Sequence, residues 1–182
     1  MYEDLLEKKL KSENIYDGVL LHVRRDTVTL PNGRKAVREW VRHPGASAVL
    51  PVFKDGTVLL VRQYRYPVDR VTLEIPAGKL DSPKEDPLAC AVRELSEETG
   101  YTAKRYEKLT TIGTTVGFSN EYIHIYAAHD LQAGEQHTDD DEFIHVVKMP
   151  LEEAVERVKS GEIFDAKSVT AILMTAFGKA KH

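Results

Sequence analysis

Apolar and polar positions alternate with a spacing of two over residues 18–30, the pattern of strands, run together in an apolar stretch over 46–53, and recur at three and four in three later stretches, the pattern of helices. Residues 1–12 read as a short polar helix or frayed arm. From Ile15 to Val41 the pattern is that of strands, over 18–24, 25–30 and 36–41, with Pro31-Asn32-Gly33 as a hairpin signal. His43-Pro44-Gly45 interrupts the pattern and separates an N-terminal β block, residues 1–42, from a main domain, residues 43–182. There, 46–53 reads as an apolar strand, Lys54-Asp55-Gly56 as a hairpin turn and 57–64 as the returning strand. Further strands are predicted over 71–75, 106–113, 121–131 and 143–149, with a polar loop over 131–142. Helical spacing marks the stretch that follows Pro87, then 151–160 and 168–178. Mixed helices and hairpins predict an α+β sheet covered by helices.

The length of 182 residues suits one medium domain with a small appendage. A net charge of −4 argues against a nucleic-acid surface, and no 18-residue apolar run predicts a membrane span. The N-terminus is acidic and lacks a signal-peptide core, so a cytoplasmic location is the default expectation. Cys90 is the single cysteine, which excludes an intramolecular disulfide and reads as a small core residue. The seven histidines show no zinc-ligand spacing.

Candidate chemistry concentrates in Arg93-Glu94-Leu95-Ser96-Glu97-Glu98-Thr99-Gly100-Tyr101. Glu94 and Glu98 stand one above the other on a helix, with Glu97 beside them, and like charges so placed repel. A divalent cation turns that repulsion into binding. Leu88, Ala91, Val92 and Leu95 form the predicted apolar stripe, with the three glutamates on its flank. Asp86 is the expected N-cap, Pro87 suits the first turn, and Gly100 suits a left-handed stop. The competing interpretation is a solvated helix face on which Arg93 forms salt bridges. The order strand, Gly turn, acidic helix, glycine stop, beginning at Glu74-Ile75-Pro76-Ala77-Gly78, favours a metal–phosphate site.

At these residues the chain resembles the Nudix hydrolase family. Gly78, Glu85, Arg93, Glu94, Leu95, Glu97, Glu98, Gly100 and Tyr101 fill the family's box, with six residues between Gly78 and Glu85 where the family has five. The extra residue lies in the loop Asp81-Ser82-Pro83-Lys84. The resemblance implies an α/β/α sandwich with a mixed sheet and a metal-dependent pyrophosphohydrolase. It implies Mg2+, with Mn2+ as an alternative, held by the Ala77 carbonyl, Glu94, Glu97 and Glu98. Glu97 shares a metal or its water, and Arg93 orients the glutamates by salt bridge.

Arg38-Glu39, His43-Pro44-Gly45-Ala46, Arg62-Gln63-Tyr64-Arg65, the segment 73–79 and Gly117-Phe118-Ser119-Asn120-Glu121 resemble the ADP-ribose and nucleoside diphosphate sugar branch. Val116 stands where that branch carries a proline. The branch implies Arg65 as a bidentate diphosphate clamp, Arg38 and Glu39 reaching substrate across a homodimer interface, and Glu74 and Glu121 as further substrate-binding residues. It places the general base in the acidic run Asp139-Asp140-Asp141-Glu142, with Glu142 first and Asp140 second. Arg38 and Glu39 equally suit exposed strand positions, and the acidic run a solvated loop. The substrate implied is ADP-ribose. Another nucleotide sugar such as GDP-mannose, or a non-catalytic nucleotide-sensing module, is the alternative. A sensor would have lost box glutamates, and all three are present.

Overall fold

The computed structural model of the chain describes residues 2–137 and 143–178. Its contacts gather into two units, residues 1–45 with 113–121, and residues 46–112 with 122–182.

In the first unit three strands, β1 (Lys8–Asp17), β2 (His22–Thr29) and β3 (Lys35–Arg42), form an antiparallel sheet in that order. A 3₁₀ turn at Glu3–Leu5 precedes β1. The helix or frayed arm expected over 1–12 is thus replaced from Lys8 onward by a strand. Its register with β2, Lys8↔Thr29 to Asp17↔His22, supplies the backbone partners that a polar arm lacks. The strands expected over 18–24 and 25–30 are one strand, because the ladder with β3 runs unbroken from His22↔Arg42 to Thr29↔Lys35. The β2–β3 connection turns at Gly33, as the hairpin signal predicts.

The second unit holds two sheets and three helices. One sheet has the order β7 (Ala77–Lys79), β4 (Ala46–Pro51), β9 (Tyr122–Ala133), β8 (Tyr101–Gly113). β4 pairs antiparallel with β7 and parallel with β9, so the sheet is mixed. The other sheet, β10 (His145–Pro150), β5 (Thr57–Arg65), β6 (Arg70–Glu74), is antiparallel. The turn expected at Lys54-Asp55-Gly56 forms, with the Phe53 N–H donating to the Thr57 carbonyl at 2.8 Å, but the pairing of its arms stops at a bridge, Val52↔Val58, because β4 gives both edges to β7 and β9.

Every residue of β4 is buried, because both faces of the strand are covered. Ala46, Ala48 and Leu50 join Ile123 and Ile125 of β9 in a core shared with α2 (Leu151–Lys159) and α3 (Ala166–Phe177). Val49 joins Tyr126 and Ala128 on the opposite face, under Ala91 and Leu95 of α1 (Pro87–Thr99). The alternation of two along each strand thus sorts its side chains between two helical layers. The result is an α/β/α sandwich with a mixed sheet.

Candidate functional site

α1 begins and ends as its sequence dictates. Asp86 accepts a hydrogen bond from the Leu88 N–H at 3.1 Å, Pro87 opens the helix, and Gly100 closes it at φ 73°. A Cβ at Gly100 would also lie 2.8 Å from the Gln136 amide nitrogen. The helix is rotated from the orientation its apolar stripe predicts. Cys90, Ala91, Glu94, Leu95 and Glu98 are buried, while Leu88 and Val92 are over a third exposed. Two glutamates therefore lie on the face that packs on the sheet, and only Glu97 occupies the expected flank, its side chain 42% exposed.

That orientation is held by specific contacts. Glu98, 3% exposed, accepts from the Ala77 N–H through Oε2 at 3.2 Å. Arg93 donates from Nη1 to Glu94 Oε1 at 2.6 Å and Glu97 Oε2 at 3.0 Å, and from Nη2 to the Lys79 carbonyl at 3.2 Å. Burial works against the Arg93 charge, but Glu94 and Glu97 outweigh it and raise the guanidinium pKa. Arg93 is thus a cation that lets Glu94 and Glu97 lie side by side, while Glu98 is held by the Ala77 N–H. Glu85 also lies 3.8 Å from Arg93, and its Oε2 accepts from the Asp81 N–H at 2.6 Å, closing the enlarged loop.

Cys90 is fully buried, with Sγ 3.5 Å from the Lys79 carbonyl and 3.7 Å from that of Gly78. Burial and the nearby Glu94 push its thiol up to about 11, so it packs as a neutral core residue.

Among the described residues no three acid, imidazole or thiol groups converge as a closed metal cage. Arg93 draws off Glu94 and Glu97, and the Ala77 N–H holds Glu98. The donors nevertheless fit a hard divalent cation, which takes one or two carboxylates and keeps several waters. They are carboxylate and carbonyl oxygens, set around a glycine whose missing side chain leaves room for the Glu94 carboxylate.

A second charged group lies at the end of β6. Glu74 Oε1 accepts from Arg65 Nε at 2.9 Å and Thr72 Oγ1 at 2.6 Å, and Oε2 accepts from Arg65 Nη2 at 2.8 Å and from Lys167 Nζ. Burial alone would raise the Glu74 pKa. Arg65, Lys167 and Thr72 outweigh it and bring the acid down to about 2. The Arg65 fork that the resemblance assigns to a diphosphate is thus engaged by Glu74 through Nε and Nη2, which leaves Nη1 outside that pair on a side chain 42% exposed.

The NUDIX domain model matches residues 41–172 of the chain. The chain belongs to the Nudix family. A model for the nucleoside diphosphate sugar hydrolase N-terminal domain matches residues 7–41 of this Nudix protein. It is 44% identical over 172 residues to an ADP-ribose pyrophosphatase of Bacillus subtilis (strain 168), covering 93% of this chain and 92% of the relative. It is 42% identical to a methanol dehydrogenase activator of Bacillus methanolicus, over 91% of this chain and 90% of the relative. Its fold matches a crystal structure of an ADP compounds hydrolase with a TM-score of 0.83, at 24% identity, over 95% of this chain and 94% of that one.

The two units of the Nudix chain divide the predicted site residues between them. Ala77, Glu94, Glu97 and Glu98 come together at β7 and α1, and Arg65 and Glu74 at β5 and β6, all in the second unit. Arg38, Glu39 and Glu121 belong to the first. There Arg38 donates to Glu7, through Nε at 3.0 Å, and Glu39 accepts from Arg25 across the β2–β3 ladder at 2.8 Å. Glu121 accepts from Thr114 Oγ1 at 2.7 Å and lies 3.5 Å from His43 Nδ1. Glu142 and Asp140 lie outside the described residues.

Three contributors escape sequence reasoning. Lys167 reaches Glu74 from a position 93 residues away, and nothing local marks it. Gln136 donates to the Glu98 carbonyl at 2.7 Å and the His137 N–H to the Glu97 carbonyl at 3.1 Å. These bonds pin the chain leading into the acidic run to the last turn of the Nudix helix. Their only sequence signal is the position of Gln136 and His137 just before that run.

Proposed function

We propose that this Nudix chain hydrolyses the diphosphate bond of ADP-ribose to AMP and ribose 5-phosphate, using Mg2+ or Mn2+. The observation that carries the proposal is the meeting of β7 and α1, where Glu98 accepts from the Ala77 N–H and the Gly78 backbone leaves room for the Glu94 carboxylate, with the Arg65 guanidinium on the same unit. The likeness to an ADP-ribose pyrophosphatase over 93% of the chain supports the choice of substrate.

The Ala77 carbonyl, Glu94, Glu97 and Glu98 would hold the metal, which offsets phosphate charge and lowers the pKa of water. Arg65 Nη1 binds a diphosphate oxygen, and Glu74 keeps the guanidinium plane fixed while it does so. Arg93 holds Glu94 and Glu97 in place before substrate arrives, so their orientation costs nothing during the reaction. A water oxygen bonds to one phosphorus as the bridging P–O bond breaks. Glu142 takes the water's proton, with Asp140 as the second choice. Residues 1–42 act as the element that joins two copies into a homodimer, Arg38 and Glu39 reach substrate across that interface, and Glu121 is a further substrate-binding residue. The protein works in the cytoplasm.

The test is a substrate panel of ADP-ribose, GDP-mannose and other nucleotide sugars, with Mg2+, Mn2+ or EDTA, followed by chromatography of the products. AMP and ribose 5-phosphate that form with metal and vanish with EDTA are the expected result. No metal-stimulated turnover on any diphosphate would remove the enzyme reading and leave a nucleotide-sensing module. Preference for GDP-mannose would redirect the substrate. Light scattering that shows a monomer would remove the homodimer.

A further inference from the structure

We propose that Lys167 is a positioning residue for substrate binding, fixing Glu74 so that Glu74 aims the Arg65 guanidinium. The inference rests on the reading of Arg65 as the diphosphate clamp.

Lys167 lies in the first turn of α3, and its side chain is only 11% exposed. A buried ammonium is costly unless it is paired. Here it is paired twice, to Glu74 Oε2 and to Asp165 Oδ1, the latter at 2.8 Å. Asp165 is itself fixed, since it caps α3 by accepting from the Ser168 N–H at 3.1 Å. The next residue of the helix makes a parallel attachment, with the Ile75 N–H donating to Ser168 Oγ at 2.8 Å. Two consecutive residues of α3, Lys167 and Ser168, thus hold two consecutive residues of the chain, Glu74 and Ile75, just before Ala77 and Gly78.

The charges form a row: Asp165, Lys167, Glu74, Arg65. Three are largely buried, and the fourth, Arg65, ends the row with a side chain 42% exposed and with Nη1 outside the Glu74 pair. A row that served stability alone could be replaced by apolar side chains. This one delivers a guanidinium of fixed orientation. Both Glu74 oxygens carry two donors, so the carboxylate cannot rotate without losing bonds. Removing Lys167 leaves Oε2 with the Arg65 Nη2 contact alone among these bonds. The carboxylate and the Arg65 plane then gain freedom that substrate binding must remove.

The experiment compares wild type, Lys167→Met, Lys167→Arg, Arg65→Ala and the Lys167→Met/Arg65→Ala double variant. It reads kcat and KM for ADP-ribose with Mg2+, the thermal midpoint, and solvent exchange of the Arg65 Nε–H by NMR. Lys167→Met is expected to raise KM about tenfold with kcat within about twofold, and to speed the Arg65 Nε–H exchange by a similar factor. Lys167→Arg keeps the charge and is expected to restore both to within about threefold. In the double variant KM is expected to match Arg65→Ala alone, since the effect of Lys167 passes through Arg65. Lys167→Gln, which keeps a donor, replaces Lys167→Met if that variant does not fold. A folded variant with wild-type exchange or wild-type KM overturns the proposal. So does a KM effect that adds in full to that of Arg65→Ala. A wild-type KM in Arg65→Ala would instead remove the clamp itself, while the exchange measurement would still report whether Lys167 orders the guanidinium.

Discussion

Gly78 and Glu94 occupy one place: a Cβ at position 78 would lie 2.0 Å from Glu94 Oε1. No side chain fits there unless the Glu94 carboxylate moves away, so glycine at 78 is what lets that carboxylate lie where it does. Gly78→Ala is expected to displace the Glu94 carboxylate and lower kcat/KM for ADP-ribose about a hundredfold, with a loss of about 1–3 kcal/mol in stability. Steady-state kinetics beside a denaturant titration would check it. Wild-type turnover would show that the Glu94 position is irrelevant to the chemistry.

Glu98→Gln keeps an oxygen that can accept from the Ala77 N–H, the 3.2 Å bond of the native side chain. The fold should therefore survive with its melting temperature nearly unchanged. The lost ligand charge is expected to cost about 3 kcal/mol in transition-state stabilisation, or roughly a hundredfold in kcat/KM. A variant that unfolds but keeps its activity per folded molecule would instead make Glu98 a structural anchor.

Arg65→Ala removes two of the donors to a buried carboxylate. Weaker substrate binding is expected, with KM raised tenfold or more, alongside a stability loss of about 1–3 kcal/mol from the under-paired Glu74. Kinetics and thermal melts separate the two effects. A fall in kcat at constant KM would contradict the clamp.

Acid should act through the same group. The Glu74 pKa falls from its ordinary 4.5 to about 2 in the folded chain. Its contribution to stability, about 3 kcal/mol for a shift of this size, is complete above pH 4.5 and lost as pH falls toward 2. Thermal midpoints of the native protein should therefore drop across that window. A Glu74→Gln variant should start less stable and show a shallower drop. Equal slopes for the two proteins would mean that other carboxylates carry the acid sensitivity.

The box helix was legible in the sequence because its signals are local. Asp86, Pro87 and Gly100 act through the backbone within a few residues, and all three take their expected roles. The outline of β4, β5, β9, β10, α2 and α3 followed from periodicity for the same reason. The rotation of α1 did not. Hydrophobicity assigns Leu88 and Val92 to the buried face, yet Glu94 and Glu98 lie there, because Arg93, the Ala77 N–H and the missing Gly78 side chain compensate charges that hydrophobicity counts only as a cost. Strand pairing was likewise out of reach. Lys54-Asp55-Gly56 makes the turn that its sequence signals, but which strand lies beside β4 depends on β7 and β9, both distant in the chain.

By itself the sequence determined the local elements, the three clustered acids and the glycine stop, since each depends on side chains a helical turn or a strand step apart. Only the tertiary structure decided that Glu94 nests against Gly78, that Arg65 is gripped by Glu74, and that Lys167 stands behind both. Buried charges are tolerated only where partners converge in space, and those partners come from elements whose separation along the chain carries no pattern to read.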